Sequence, residues 1–186
     1  AVATTADYCK VPVVTLSKTR RTLYEAVQLV TQFVIVTPFP LLFHSYWQDV
    51  SDDYQESIGI VAVGTTITLI GYIAVTMLAA LVLPRLFRLV LKPGRTYSLY
   101  GFHFWLQSIV EVCTNVRLVN LLFGDSSAIV HYIRALGWNL NEVVQTGSNF
   151  GSNQQQDNPL LCEIGTGTMV SDGLFMINVH KSASAF

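Results

Sequence analysis

The chain carries no charged side chain from Ser57 to Pro84. A helix needs about 20 mostly apolar residues to cross the hydrocarbon core of a bilayer, and this run is longer. In lipid every backbone polar group must be hydrogen-bonded within its own segment, which an α-helix achieves. We therefore predict a membrane-spanning helix from about Ile58 to Leu83, and we expect the protein to work at a membrane.

Charged residues are scarce in the whole chain, which is 186 residues long. They make up 12% of it, whereas soluble domains average about 25%, and 51% of the residues are hydrophobic. The formal net charge is −1, so no overall positive field favours nucleic acid as a partner. The cysteines Cys9, Cys113 and Cys162 are far apart and include no CxxC pair, so we predict neither a disulfide framework nor a metal site.

A second apolar segment, from about Leu23 to Phe43, precedes the charge-free run. Pro38 and Pro40 lack a backbone donor, so we expect a kink or an early end of the helix there. Lys and Arg flank the outer ends of the two segments but are missing from residues 44–57, which are acidic. The positive-inside rule then predicts a transmembrane hairpin over residues 23–95, in the plasma membrane, with both ends in the cytoplasm.

Small residues recur on one face of the predicted second helix. Gly64, Thr68, Gly71 and Val75 follow one another at spacings of four, three and four. Such a face lets helix backbones approach closely in lipid, so we expect it to pack against another helix. The partner is the first helix of the hairpin, a helix elsewhere in a longer protein, or a second copy. Alternatively, glycine is simply common in membrane helices.

A polar segment, residues 1–22, precedes the hairpin, and a helical linker, residues 96–138, follows it. The stretch from Phe102 to Phe123 has a helical period but contains Glu111 and Arg117. We therefore predict a helix that lies in the membrane interface or packs on a core, rather than a span. Its apolar residues form one stripe, and His103, Gln107, Glu111 and Thr114 lie on another side.

The linker is predicted to end in a shorter helix, about residues 127–136. Asp125 or Ser126 is expected to cap its beginning, and Gly137 is expected to end it. Glycine, asparagine, glutamine, serine and threonine become frequent after Gly137, and residues 151–158 are predicted to form an exposed loop.

Residues 139–186 show a six-residue period. Its members are Ile164, Val170 and Met176, then Gly167 and Gly173, and, starting just before this segment, Trp138, Val144 and Phe150. One inward aliphatic residue per six favours the first coils of a left-handed parallel β-helix of the hexapeptide-repeat type. A glycine-rich β-hairpin with chance matches explains the spacing equally well. Because no initiator Met begins the chain and the pattern is interrupted at Phe186, we expect a piece of a longer protein.

Two stretches resemble a known family: residues 129–140 (IVHYIRALGWNL) and residues 158–173 (NPLLCEIGTGTMVSDG). They are similar to the membrane-associated C-terminal region of the ε-poly-lysine synthetase-like non-ribosomal peptide synthetases. The matching positions are Tyr132, Arg134, Gly137, Ile164, Gly165, Val170, Ser171, Asp172 and Gly173. With the hairpin and the segment at 94–100, the resemblance covers roughly residues 23–180.

The resemblance implies a membrane-bound, acyltransferase-like protein that supports amide bond formation between an aminoacyl or acyl thioester and an amine. The thioester would be held on phosphopantetheine by an upstream carrier domain, so carrier and adenylation domains are implied partners beside the lipid bilayer. No cofactor is expected on this chain itself, which we expect to be inactive alone. A second hypothesis is a non-catalytic anchor or scaffold, or part of an export path for the product.

Amide formation from a thioester needs a base that takes a proton from the attacking amine. His180 is the candidate base and Asp172 the candidate that orients it or binds the amine, although an exposed polar residue and a turn residue are the simpler interpretations. His131 and Arg134 lie three residues apart on one helix and are candidates for contact with the pantetheine phosphate or lipid headgroups. A solvated helix face explains this pair more simply.

Overall fold

The computed structural model describes residues 17–51, 58–124, 126–141, 153–168, 170, 173–179 and 181. The helices of this part are α1 (Lys18–Val36), α2 (Pro38–Ser51), α3 (Ile58–Phe87), α4 (Phe102–Thr114), α5 (Arg117–Phe123) and α6 (Ala128–Leu136). The strands are β1 (Asn139–Leu140), β2 (Gln154–Gln156), β3 (Glu163–Ile164) and β4 (Leu174–Met176), with a 3₁₀ turn at Pro159–Leu161. The described part is therefore mainly helical, with short strands after the last helix.

The first apolar segment forms two helices. α1 ends at Val36 and α2 begins at Pro38, because the fixed φ of proline suits the first position of a helix, where its missing N–H is not needed. The predicted early end near Pro38 is thus confirmed. Among the described helices, those long and apolar enough to cross a membrane are Ile58–Phe87 and Phe102–Phe123, and neither α1 nor α2 is one of them.

α3 contacts α2, α4, α5 and α6, and its two ends differ in burial. Near its C-terminal end Ala80 and Pro84 are buried, and Met77 and Leu81 pack against the same core. Before Met77 the large apolar side chains are mostly exposed, including Ile58 (78%), Ile67 (64%) and Val75 (68%). The C-terminal end of α3 therefore packs in the core, whereas most large apolar side chains of its N-terminal part are exposed.

The small-residue face of α3 makes one close helix contact. A Cβ atom added at Gly64 would lie 1.5 Å from the Tyr46 hydroxyl oxygen, and that hydroxyl donates to the Ile60 carbonyl at 3.1 Å. A Cβ atom at Gly71 would meet nothing within 4 Å, since Gly71 lines an apolar cavity of about 660 Å³. The expected packing is thus confirmed at Gly64, and its partner is α2.

α6 supplies the three largest fully buried side chains among the described residues. Ile129, Ile133 and Leu136 are inaccessible, and the Tyr132 ring stacks on Phe123 at 4.5 Å between centroids. The helix ends at Gly137, whose φ of +122° suits glycine, as predicted. The predicted cap is wrong at Ser126, because Ser127 is the N-cap residue and makes no side-chain capping bond. Asp125 lies outside the described residues.

The strands pair in parallel across long connections. β1 pairs with β3 (Asn139 with Glu163), and β2 pairs with β4 (Gln154 with Leu174). A tight hairpin joins antiparallel strands, so the hairpin interpretation is wrong for these strands. The later strand of each pair lies beside the earlier one, as successive coils of a β-helix would. The described part holds two-stranded pairs only, which do not by themselves make a β-helix.

The large apolar members of the six-residue period that the structure describes face the core. Ile164 and Val170 are each 5% exposed, Trp138 is 3% exposed, and Met176 packs against the same cluster. Gly167 lies in a turn and Gly173 directly precedes β4, with φ values of +79° and +127°. Val144 and Phe150 lie outside the described residues.

The predicted exposed loop at 151–158 is wrong from Gln154 onward, where alternate residues are buried. Gln154–Gln156 is strand β2, and Gln154, Gln156 and Asn158 are buried. Composition suggested a solvated loop because these side chains are polar. Trp138 and Gln154 donate to Gln156 Oε1, and Asn158 Nδ2 donates to Gln107 Oε1 on α4, so these bonds offset part of the loss of water. Gln154 Oε1 and Gln156 Nε2 are buried without a partner among the described residues.

Candidate functional site

Side-chain amides of α4, α5 and the residues between them bond the backbone of β2. Asn115 Nδ2 donates to the Gln156 carbonyl at 2.6 Å, and Asn115 Oδ1 accepts from the Gln156 N–H at 2.9 Å. Asn120 Nδ2 donates to the Gln154 carbonyl at 3.1 Å, and Gln107 Nε2 donates to the Asp157 carbonyl at 2.7 Å. These three amides, which we call the amide ladder, act as a strand partner for one edge of β2.

The Phe102–Phe123 stretch is buried on more than its apolar stripe. Gln107 and Thr114, which the sequence places on another side from that stripe, are 2% and 1% exposed, while Phe102 is 55% exposed. Gln107 donates to the Asp157 carbonyl, and the Thr114 hydroxyl donates to the Val110 carbonyl of its own helix, so both polar groups have partners inside the protein. The expectation that this stretch packs on a core is consistent with its buried residues Leu106, Val110 and Cys113.

A second polar cluster joins the end of β2 to the segment after β4. The Asn158 N–H donates to Asn178 Oδ1 at 3.1 Å, and Asn178 Nδ2 donates back to the Asn158 carbonyl at 2.8 Å. Asp157 Oδ2 accepts from the backbone N–H groups of Asn178 and Val179 at 3.1 and 3.2 Å. The chain is thus fixed around residue 178, two residues before the candidate base.

The Cys162 thiol lies inside this cluster. Its Sγ atom is 3.3 Å from the Asn158 carbonyl oxygen, to which it donates, and it accepts from Asn178 Nδ2 at 3.1 Å. Burial raises the pKa of the thiol from 9.0 to about 12, with the hydrogen bond from Asn178 acting in the opposite direction. A thiol of this pKa is protonated at neutral pH and is a poor nucleophile, so Cys162 serves as a small buried group.

An ionic cluster connects the last described residue to α4. Lys181 Nζ lies 3.0 Å from Glu111 Oε2 and 3.9 Å from Asp157 Oδ1. Lys181 lines one cavity of about 520 Å³ beside Gln155 and Asp157, and another of about 510 Å³ beside Glu111. This cluster can hold a polar or charged ligand next to the position that sequence reasoning selected for a base.

His180 and Asp172 both lie outside the described residues. The described neighbours of His180 belong to the polar clusters, because the Val179 N–H donates to Asp157 and Lys181 pairs with Glu111. The described neighbour of Asp172 is Gly173, which lies beside Asn153 at the β2–β4 pair. His131 and Arg134 are exposed on α6, and Arg134 Nη2 donates to the Asn141 carbonyl at 3.4 Å. Their exposure agrees with the simpler interpretation of a solvated helix face.

The amide ladder and the Lys181 cluster together join α4 and α5 to the strands, and we call them the junction. Sequence reasoning did not select the residues that form it. Gln107, Asn115, Asn120 and Lys181 were not singled out as functional. One signal was present, because amides recur along an otherwise apolar helical stretch, and buried amides require partners. A ladder that reaches a strand about forty residues away is not visible as a local pattern.

The comparisons with known proteins add no family to this geometry. No protein-family model, no curated protein and no solved structure matches the chain.

Proposed function

We propose that this chain is the membrane-embedded part of a non-ribosomal peptide synthetase. In it the helices carry a unit that supports amide bond formation, formed by strands β1 to β4 and the 3₁₀ turn at Pro159–Leu161, which we call the strand module. One observation carries the proposal: the two stretches that resemble that family pack against each other. A Cβ atom at Gly137 would lie 2.4 Å from Leu160 Cδ2, and Asn139 pairs with Glu163 across β1 and β3. The two stretches are separated in sequence but contact each other, which supports reading them together as one unit.

The membrane part of the proposal rests on α3. Its exposed portion, residues 58–76, is about 28 Å long at 1.5 Å per residue, close to the ~30 Å hydrocarbon core of a bilayer. The remainder of α3 enters the core of the module through Ala80 and Pro84. We propose that residues 58–76 cross the plasma membrane and that the module lies on its cytoplasmic face, beside the basic residues that follow α3.

The Phe102–Phe123 stretch is also long and apolar enough to cross a membrane. Its position argues for the interface instead. The amide ladder holds β2 along it from Gln107 to Asn120, so a span would place a polar strand in hydrocarbon. α4 also ends at Thr114, before α5 begins at Arg117.

In the proposed reaction, a thioester on an upstream carrier domain is attacked by an amine, and His180 takes the proton of that amine. Phosphopantetheine would supply the thioester, and no residue described here is assigned to hold it. Lys181 and Asp157 line one cavity and are our candidates to orient a polar acceptor. The product is an amide and a free carrier thiol.

A non-catalytic scaffold is the second candidate, and a specific observation favours it. The described thiol outside the helices, Cys162, is deeply buried with a raised pKa, and most described polar groups of the junction are bonded to backbone. Such groups fix a fold rather than activate a substrate. In this case the helices and strands would hold upstream catalytic domains at the membrane.

The test uses the intact synthetase that contains this chain. His180→Ala should abolish the amide product while membrane insertion is unchanged, and His44→Ala, on exposed α2, should retain the product. Unchanged product with His180→Ala would exclude His180 as the base. If an unrelated helical hairpin fused in place of residues 18–186 restored synthesis, the scaffold function would be the correct one.

A further inference from the structure

We propose that a cavity between the loop after α3 and the strand module binds the phosphate group of an anionic ligand. The cavity has a volume of about 500 Å³. Arg88, Lys92 and Arg95 line one side, and Asn158, Leu160 and Leu161 line the other. This site is distinct from the Lys181 cluster, and it does not depend on the proposed amide-forming reaction.

The three cations lack carboxylate partners within the described part of the chain. The ion pairs found there join Arg21 to Glu25 and Lys181 to Glu111 and Asp157. Among the residues that the structure describes, no Asp or Glu lines the cavity. Three like charges within eight residues repel one another, and an anion bound among them removes this repulsion and forms charge-assisted hydrogen bonds.

The neighbouring Arg85 shows that this arrangement is not common to every cation in the segment. Its guanidinium donates to the Leu81 and Ala135 carbonyls, so it connects α3 to α6. It does not line the cavity. The three cations that do line it are therefore a separate group.

The loop that carries the cations has a fixed shape. The Tyr97 hydroxyl accepts from the Lys92 backbone N–H at 2.9 Å and lies 3.4 Å from the Val90 carbonyl oxygen. Gly94, with a φ of +75°, allows the turn between Lys92 and Arg95. A loop held in this way loses little conformational entropy when an anion binds.

The opposite wall indicates what else the ligand carries. Asn158 Nδ2 already donates to Gln107 Oε1 at 3.2 Å, so this amide is fixed within the protein. Leu160 and Leu161 present apolar surface to the cavity, and Leu161 is 41% exposed. A phosphate with an apolar portion satisfies both walls. A phospholipid is the source that these two walls favour, because Leu160 and Leu161 place apolar surface beside the cations.

The experiment measures ligand retention by the whole chain with native mass spectrometry. Arg88→Gln/Lys92→Gln is compared with Lys18→Gln/Arg20→Gln, which removes one Arg and one Lys from exposed positions on α1. The lipid arm uses phosphatidylglycerol in phosphatidylcholine nanodiscs, and the soluble arm uses glycerol phosphate. The cavity variant should retain phosphatidylglycerol about tenfold less than the control variant. Binding of glycerol phosphate with the same variant dependence would instead identify a soluble ligand.

Leu161→Trp provides a second test that leaves all charges in place. The indole should fill part of the cavity and reduce retention by a similar factor. If both cavity variants retained the same amount of phosphatidylglycerol and glycerol phosphate as the control, the cations would be a diffuse surface charge, and the proposed site would be wrong.

Discussion

Asn115 pairs with Gln156 as a strand residue would, since its side-chain amide donates to the carbonyl at 2.6 Å and accepts from the N–H at 2.9 Å. One side chain between α4 and α5 thereby satisfies both backbone groups of a residue forty-one positions further along the chain. A buried strand edge without partners is destabilising, so this pair explains how so polar a strand lies inside the protein.

Asn115→Ala should therefore weaken the attachment of β2. Two backbone groups lose their partner, at a cost of about 2 kcal/mol. Hydrogen exchange of the peptide around Gln156 should accelerate about 30-fold. Asn115→Asp keeps the acceptor but loses the donor, and should be at least as disruptive at neutral pH.

The control is Asn139→Ala, which removes an exposed hydrogen bond to Glu163 and should change the hydrogen-exchange rate little. Equal effects at positions 115 and 139 would contradict the role of the ladder.

Ile164→Ala tests the six-residue period. The side chain is 5% exposed in the core, and its truncation should cost about 2 to 5 kcal/mol of unfolding free energy. Phe175→Ala removes a larger side chain that is 67% exposed, and should cost less than about 0.5 kcal/mol. Denaturant unfolding of the two variants measures the difference. Equal destabilisation would show that the period does not mark the inward positions.

Gly64→Leu should separate α2 from α3, because no side chain fits beside the Tyr46 ring. Gly71→Leu should be tolerated, since a Cβ atom there meets nothing within 4 Å and points into open space. A disulfide cross-link between cysteines introduced on α2 and α3, for example at Leu42 and Thr68, which line the same cavity, would report their proximity. Loss of the cross-link with Gly71→Leu but not with Gly64→Leu would reverse the assignment of the packing face.

The Cys162 thiol should make stability fall at alkaline pH. The unfolded thiol loses its proton near pH 9, whereas the folded thiol, with its pKa of about 12, keeps it. The unfolded state therefore binds fewer protons between these values, and unfolding free energy decreases as pH rises from about 9 to 12. Cys162→Ala should flatten this part of the curve. Iodoacetamide at pH 8 should label Cys162 only after denaturation, and rapid labelling of the folded protein would contradict its burial.

The sequence was sufficient where a local pattern has a local cause. The charge-free run gave α3, Pro38 separated α1 from α2, Gly137 ended α6, and the six-residue period marked Ile164 and Val170 as buried. It failed where a polar residue has a distant partner. Gln154 and Gln156 were assigned to an exposed loop because their burial depends on Asn115, Asn120 and Trp138. The junction is formed by contacts between residues far apart in sequence, which local residue spacing does not predict.

The central claim is that α3 crosses the membrane and places the strand module on the side of Lys92. Single cysteines at Asp52, Lys92 and Thr168, in a Cys9→Ala background, can be labelled with an impermeant maleimide in right-side-out and everted vesicles. The account predicts that positions 92 and 168 are labelled from the same side and position 52 from the opposite side. Labelling of positions 52 and 92 from one side would contradict the membrane crossing, and labelling of positions 92 and 168 from opposite sides would contradict the placement of the module.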